Sequence, residues 1–310
     1  VIEARNATDG TDHDLSHRHR PGRDQNRDRG ADAGRVSRAS HARPDPQDYG
    51  RTIETIADLV REAEAKLGTA HGIGIGIPGT ISPATGLVKN ANSERLNGNP
   101  FDKDLEAKLG RPVRVSNDAN CFAMSEAADG AGAGAHCVFG VIIGTGCGGG
   151  IVVDGKVLEG RHHIAGEWGH TPLPWPRMEE MPLRRCWCGK SGCLETYIAG
   201  PALAAEADGP GARDAGRLPA RAAAGEERAV RALATHAERL ARGLAMIVNI
   251  LDPDVIVLGG GLSNLDHLYT DLPELMKPYI ISDTFDTPVV RNKHGDSSGV
   301  RGAAWLWPAP

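Results

Sequence analysis

An imidazole, three thiols and two carboxylates crowd one short segment of this chain. GEWGH over Gly166–His170 and CWCGKSGCLE over Cys186–Glu195 supply His170, Cys186, Cys188 and Cys193, with Glu167 and Glu195 beside them. One nitrogen and three sulfurs complete a tetrahedral zinc shell and leave no position for water, so such a metal is structural. It would clip a loop and aim the two acids at a ligand. Free cysteines are also common as small buried residues. Here Trp187 and Gly189 sit in a polar, Lys-containing turn rather than an apolar run, which favours the metal.

A second chemical feature lies upstream. Val138–Ile143 is a continuous apolar run, as in a strand buried on both faces. Gly144-Thr145-Gly146-Cys147-Gly148-Gly149-Gly150 follows it directly. Glycines in such a turn let backbone N–H groups approach phosphate oxygens, and Thr145 adds a hydroxyl donor. The same composition also makes plain tight hairpins. Val255–Leu258 runs in the same way into Gly259-Gly260-Gly261. Asn117-Asp118, after the short strand Val113–Val115, can cap a helix starting at Ala119. That position also lets Asp118 accept a proton from a hydroxyl at the sheet edge; local sequence alone favours the cap.

These groups need a frame, and from Thr52 onward the pattern supplies one. Ile53, Ile56, Ala57, Val60 and Leu67 share a helical face. Gly72–Ile77 alternates Gly and Ile, a strand whose bare face admits another backbone, and Pro78-Gly79 ends it. Asp154-Gly155 marks a hairpin within Ile151–Val157. A long Ala- and Arg-rich helix spans about Glu226–Ile250, and Gly299–Leu306 reads as a closing helix. Strands alternating with helices, with Gly-rich strand ends, predict an α/β protein with ligands at strand C-termini.

Composition narrows the function classes. A chain of 310 residues, 40% hydrophobic with a formal net charge of −5, can bury a full core in two lobes and is no nucleic-acid binder. No run approaches the roughly 20 apolar residues of a membrane span. Six cysteines, three in the zinc set and Cys121, Cys137 and Cys147 as core residues, suit a reducing cytoplasm.

GEWGH followed by CxCGxxGCLE resembles the signature of the ROK sugar kinases, which belong with the hexokinase–actin–heat-shock ATPase superfamily. The likeness runs from about Asp48 to the C-terminus. KNANSERLNG, SNDANC, VIIGTGCGGG, VNILDPDVIVLGGG and KHGDSSGVRGAAWLWP look most similar to bacterial fructokinases of that family. The resemblance implies a two-lobed, ribonuclease H-like α/β fold with a structural zinc loop, ATP and magnesium as cofactors, fructose as the hexose and a homodimer. It makes Asp118 the catalytic base. Glu167, His170 and Glu195 would hold the sugar, with Gly79, Asn92, Asn117 and Asp118 beside them. The Gly144, Thr145, Gly146 and Gly148 loop would take phosphates, and Gly259, Gly260 and Gly261 the adenosine side. The implied organisation is 48–118 as the remainder of the small lobe, 119–298 as the large lobe, and 299–310 as a helix packing back on the small one.

Val1–Gln47 departs from that pattern. It is crowded with Arg, Asp and His and has almost no aliphatic residues, so it reads as a disordered segment. The family's first phosphate loop, typically Asp-Leu-Gly-Gly-Thr-Lys, is missing there. The genetic code offers a reason. His19–Arg27 can be encoded CAT CGA CCT GGG CGG GAC CAA AAT CGA. Read one base later this gives Ile-Asp-Leu-Gly-Gly-Thr-Lys-Ile-Glu, with only the middle base of each shifted codon free to choose. Val1–Gln47 therefore reads as a frame-shifted translation restored just before Asp48; other middle bases in the gene would refute this. Two further readings follow. A chain lacking that loop could be a sugar- and zinc-binding remnant. A family regulator would need an apolar helix-turn-helix before the kinase part, which Val1–Gln47 is too poor in aliphatics to form.

Overall fold

The computed structural model describes residues 2–5, 48–70, 72–295 and 298–307. Two sheets carry the chain. The first is built from β1 (Ile2–Arg5), β2 (Gly72–Ile77) and β5 (Val113–Asn117), in the order β1-β2-β5, with α1 (Tyr49–Leu67) entering β2. A small ribbon of β3 (Thr80–Ile81) and β4 (Val88–Lys89), then α2 (Phe101–Leu109), fill the connection to β5. β2 and β5 run parallel and β1 antiparallel to β2. Within the N-terminal segment read as disordered or frame-shifted, Ile2–Arg5 forms this edge strand. Four residues are too few to display a periodicity, and the open edge of β2 gives their backbone ladder partners. The remainder of Val1–Gln47, including the stretch with the alternative reading frame, lies outside the described residues.

From β5 the chain passes into α3 (Asp118–Asp129) and then the second sheet. Its strands are β6 (Cys137–Ile143), β7 (Cys147–Val153) and β8 (Lys156–Val157), followed by helices α4 (Glu195–Ile198), α5 (Gly200–Asp208), α6 (Leu218–Ala223) and α7 (Glu227–Leu251). β9 (Val255–Gly259), α8 (His267–Met276), β10 (Val289–Arg291) and α9 (Ser298–Ala304) complete the order, and the sheet reads β10-β9-β6-β7-β8. β10, β9 and β6 are parallel; β7 and β8 are added as hairpins. Asp154 and Gly155 both have positive φ, 50° and 69°, the I′ geometry that an Asp-Gly pair favours between β7 and β8.

Local chemistry explains the boundaries that matter. Asp48 caps α1 by accepting from Arg51 N at 2.8 Å. Asn117 caps α3, its Oδ1 accepting from Ala119 N at 2.9 Å. The cap is thus Asn117 and the helix starts at Asp118. α9 lies against α3 and the first sheet; a Cβ on Gly302 would run into the carbonyl of Cys121, so only glycine allows this crossing. Glu126, fully buried in α3, accepts from Ser298 Oγ at 2.7 Å and Lys293 N at 3.0 Å, tying the chain end to that helix. Of the HGDSSG run before α9, Asp296 and Ser297 lie outside the described residues.

A buried ionic knot anchors the segment before the cysteine turn. Arg242 of α7 is completely buried; its Nη1 donates to the carbonyls of Pro174 and Trp175 at 3.1 and 2.8 Å, and its Nη2 to Glu180 Oε1 at 2.6 Å. Arg239 Nε adds a bond to Glu180 at 2.8 Å. Burial alone would raise the Glu180 carboxyl, but Arg242, the Arg177 N–H and Arg239 outweigh it and hold the group at about 2. Replacing Glu180 with Ala removes the carboxylate that both guanidiniums share and leaves Arg239 with Glu206 and Arg242 with Glu238. The expected loss is about 3 kcal/mol of stability, the low end for breaking a buried pair, read by denaturant unfolding. Because the folded value lies below the unfolded one of ~4.3, the contribution of this knot is present at neutral pH. It is lost as pH falls from that unfolded value toward 2.

Candidate active site

A cavity of about 620 Å³ opens where the ends of both sheets meet. Pro78, Gly79, Asn92 and Asn117 line it from the first sheet, and Gly144 to Gly149 from the turn between β6 and β7. Glu167, His170, Trp187 and Glu195 close the remaining side. Asp118 stands at the α3 N-terminus on its wall. Its Oδ1 accepts from Ala119 N at 2.8 Å, and burial raises its carboxyl above the ordinary aspartate value, opposed by the Ala119 N–H and its own. Burial likewise raises Glu167; His170 and Lys89 oppose this, and the charges of Asp118 and Glu195 add to it.

The glycine run divides into two jobs. β7 already begins at Cys147, so the loop proper is Gly144–Gly146, with Thr145 exposed at its tip. Gly144 N donates to Gly146 O at 3.0 Å and Gly200 N to Gly144 O at 2.7 Å, which fixes the turn. A Cβ on Gly146 would stand 2.9 Å from Glu195 Oε2, so the bare backbone admits that carboxylate. Gly150 serves packing instead: a Cβ there would meet Ala119 O at 2.5 Å, where α3 crosses β7. Gly259, Gly260 and Gly261 stand behind the Gly144 turn and do not line the cavity. Gly260 has φ 79° and a Cβ there would meet Ile143 O at 2.5 Å, so the turn packs closely on the end of β6.

His170, Cys186, Cys188 and Cys193 come together beside the cavity, their ligand atoms all within 4.8 Å of one another. Cys186 Sγ lies 3.6 Å from His170 Nδ1, and Cys188 Sγ 3.5 Å from Cys193 Sγ. Ligands ~2.0–2.3 Å from a shared tetrahedral metal stand roughly 3.4–3.8 Å apart, so this donor set fits zinc. Without a cation the thiols resist joint ionisation: burial and the neighbouring sulfurs push Cys193 up to about 12, while the Lys190 N–H lowers Cys188. A bound divalent ion reverses that balance. Cys121, Cys137 and Cys147 are buried free thiols.

Gly79, Asn92, Asn117, Asp118, Glu167, His170 and Glu195 therefore share one cavity with Gly144, Thr145, Gly146 and Gly148. Sequence reasoning passed over Trp187, Lys190 and Ile164, which also line it. Trp187 and Lys190 sat in plain view inside the cysteine turn, whereas Ile164 carried no local signal.

The model of the ROK family matches residues 30–309 of this chain. The chain belongs to the ROK family. The match begins earlier than Asp48, where the likeness is first legible by eye. The chain is 43% identical over 265 residues to the N-acetyl-D-glucosamine kinase of Vibrio cholerae, covering 84% of this chain and 88% of that protein. Among solved structures, the ROK hexokinase from Thermus thermophilus superposes with a TM-score of 0.74 at 32% identity, covering 84% of this chain and 87% of that one. A ROK glucokinase from Streptomyces griseus, in complex with glucose and AMPPNP, gives 0.68 at 27%, covering 84% and 88%. With these relatives the chain is an ATP-dependent hexose kinase of mixed α/β, hexokinase-like fold. Among the described residues no helix is long and apolar enough to cross a membrane.

Proposed function

We propose that this chain transfers the γ-phosphoryl group of ATP to the 6-hydroxyl of N-acetyl-D-glucosamine, with Asp118 as general base. One observation carries the reading: Asp118, six further sugar-binding candidates and a bare glycine turn share one cavity. The acceptor is supported by the name of the Vibrio cholerae relative at 43% identity. The fructose expected from the sequence motifs finds no support in these relatives.

Glu167 and Glu195 can each accept hydrogen bonds from neighbouring hydroxyls of a hexose. His170 turns Nδ1 toward the sulfurs, which leaves Nε2 for a sugar hydroxyl and lets the metal fix the tautomer. Zinc, held by His170 and the three cysteines, would supply rigidity to this turn. Backbone donors of Gly144–Gly148 would hold phosphate oxygens. Magnesium would arrive on the nucleotide's own phosphates. As the sugar O6–P bond forms, Asp118 takes the O6 proton, the β–γ bridging P–O bond breaks and ADP leaves. Closure of the two lobes would keep water from competing as acceptor.

The absence of the first phosphate loop from Val1–Gln47 implies an activity at least ~10²-fold below that of a frame-corrected chain. Six cysteines with no disulfide among them favour a reducing, cytosolic setting. A homodimer is part of the reading, and one face supports it. Trp175 stacks on Tyr279 with centroids 5.0 Å apart, and Met178 and Ile281 nearby are 86% and 93% exposed. Large exposed apolar side chains in one patch mark an association surface. The double variant Met178→Asp, Ile281→Asp is expected to sediment as a monomer where the unaltered chain sediments as a dimer.

A coupled ADP-release assay tests the activity on the present chain and its frame-corrected form, with N-acetyl-D-glucosamine, glucose, mannose and fructose. The corrected form should show its highest kcat/KM with N-acetyl-D-glucosamine. Preference for fructose would restore the expectation from the motifs, and equal activity in both forms would make the first loop dispensable.

A further inference from the structure

Trp187 sits between two metal-ligand candidates, lines the cavity and is nevertheless 67% exposed. Its ring stands edge-on to His170, with centroids 4.9 Å apart and planes at 85°. Its indole Nε1–H donates to Glu195 Oε1 at 2.9 Å, while Glu195 Oε2 accepts from Cys147 N at 3.0 Å. One carboxylate is thus held from both sides, by the cysteine turn through the indole and by the glycine turn through the backbone. Both bonds involve a charged acceptor, the stronger class of hydrogen bond.

We propose that Trp187 is a positioning residue for sugar binding, acting through Glu195. The proposal rests on the reading of Glu195 as a sugar-holding carboxylate. With one oxygen fixed by Trp187 and the other by Cys147, the remaining lone pairs of Glu195 point in set directions before the sugar arrives, so binding loses little side-chain freedom. The indole also links the cysteine turn to the glycine turn across the cavity, so order in one is passed to the other. A large aromatic surface left open at a cavity wall gains burial when a hexose covers it.

The test is sugar binding without nucleotide, by calorimetry with N-acetyl-D-glucosamine on the full chain, so that it does not depend on the first phosphate loop. Trp187→Phe keeps a ring and removes the N–H. It should weaken binding about tenfold, the effect of losing one hydrogen bond to a charged group, with metal content and melting temperature unchanged. Glu195→Gln should weaken binding too, and adding Trp187→Phe to it should cost little more, because the two act as one unit. Indole fluorescence should change on sugar addition in the unaltered chain and lose most of that change in Trp187→Phe. If Glu195→Gln binds sugar normally, the reading of Glu195 fails and the proposal with it. If Glu195→Gln is impaired while Trp187→Phe binds normally, or if the two losses simply add, the positioning role alone is overturned.

Discussion

Asp118→Asn is expected to lower kcat about 10³-fold, within the range of 10²–10⁴ that general-base catalysis contributes, while leaving the dissociation constant for the sugar nearly unchanged. The reason for this split lies in how the helix is capped. Asn117, not Asp118, is the N-cap of α3, and it already accepts from Ala119 N. Replacing the Asp118 carboxylate by an amide of the same shape therefore removes the proton acceptor and leaves the helix start in place. The raised pKa of Asp118, caused by burial, adds a second expectation. kcat should fall on the acid side with an apparent pKa above the ordinary aspartate value of ~3.9, and that limb should vanish in Asp118→Asn. Steady-state kinetics over pH, with calorimetry for the sugar, checks both. A variant that keeps its kcat would remove Asp118 from the chemistry.

Removing the metal should be nearly as damaging, by a different route. Stripping the chain with a chelator, or replacing Cys188 with Ser, is expected to abolish a stoichiometric zinc signal in elemental analysis and to lower the melting temperature. Sugar affinity should fall about tenfold or more, on the scale of losses seen when the groups that orient metal ligands are removed. The coupling follows from geometry. His170 presents Nδ1 to Cys186 and lines the sugar cavity with the same ring. The cysteine turn also carries Trp187, whose indole holds Glu195. Without the clip both groups lose their fixed directions. Returning zinc should restore melting temperature and affinity together. A metal-free chain that binds sugar at full strength would uncouple the two sites.

Much of this arrangement was legible from residue types. Gly72–Ile77 and the second-sheet strands at Cys137–Ile143 and Val255–Gly259 follow apolar runs that periodicity reveals within a residue or so. The close spacing of Cys186, Cys188 and Cys193 brought the three thiols together, because a short turn leaves them few ways to stay apart, while His170 came from the separate GEWGH segment. The β7 glycines were harder. Gly150 and Gly146 look alike in sequence, yet one is bare so that α3 can cross and the other so that Glu195 can approach. That difference comes from tertiary contacts with residues far along the chain. β1 was hidden because four residues show no period, and the Arg242–Glu180 knot because its partners lie 62 positions apart. The hexose itself was not legible: sugars that differ in one substituent are told apart by the shape of a wall, and Ile164 on that wall had no motif to mark it.

The most direct test of the central claim is the structure of the product formed from ATP and N-acetyl-D-glucosamine by the frame-corrected chain, read by phosphorus and carbon NMR. The account predicts one equivalent of ADP and a single sugar phosphate carrying its phosphoryl group on O6. Phosphate on another oxygen, or ADP accompanied only by inorganic phosphate, would contradict it.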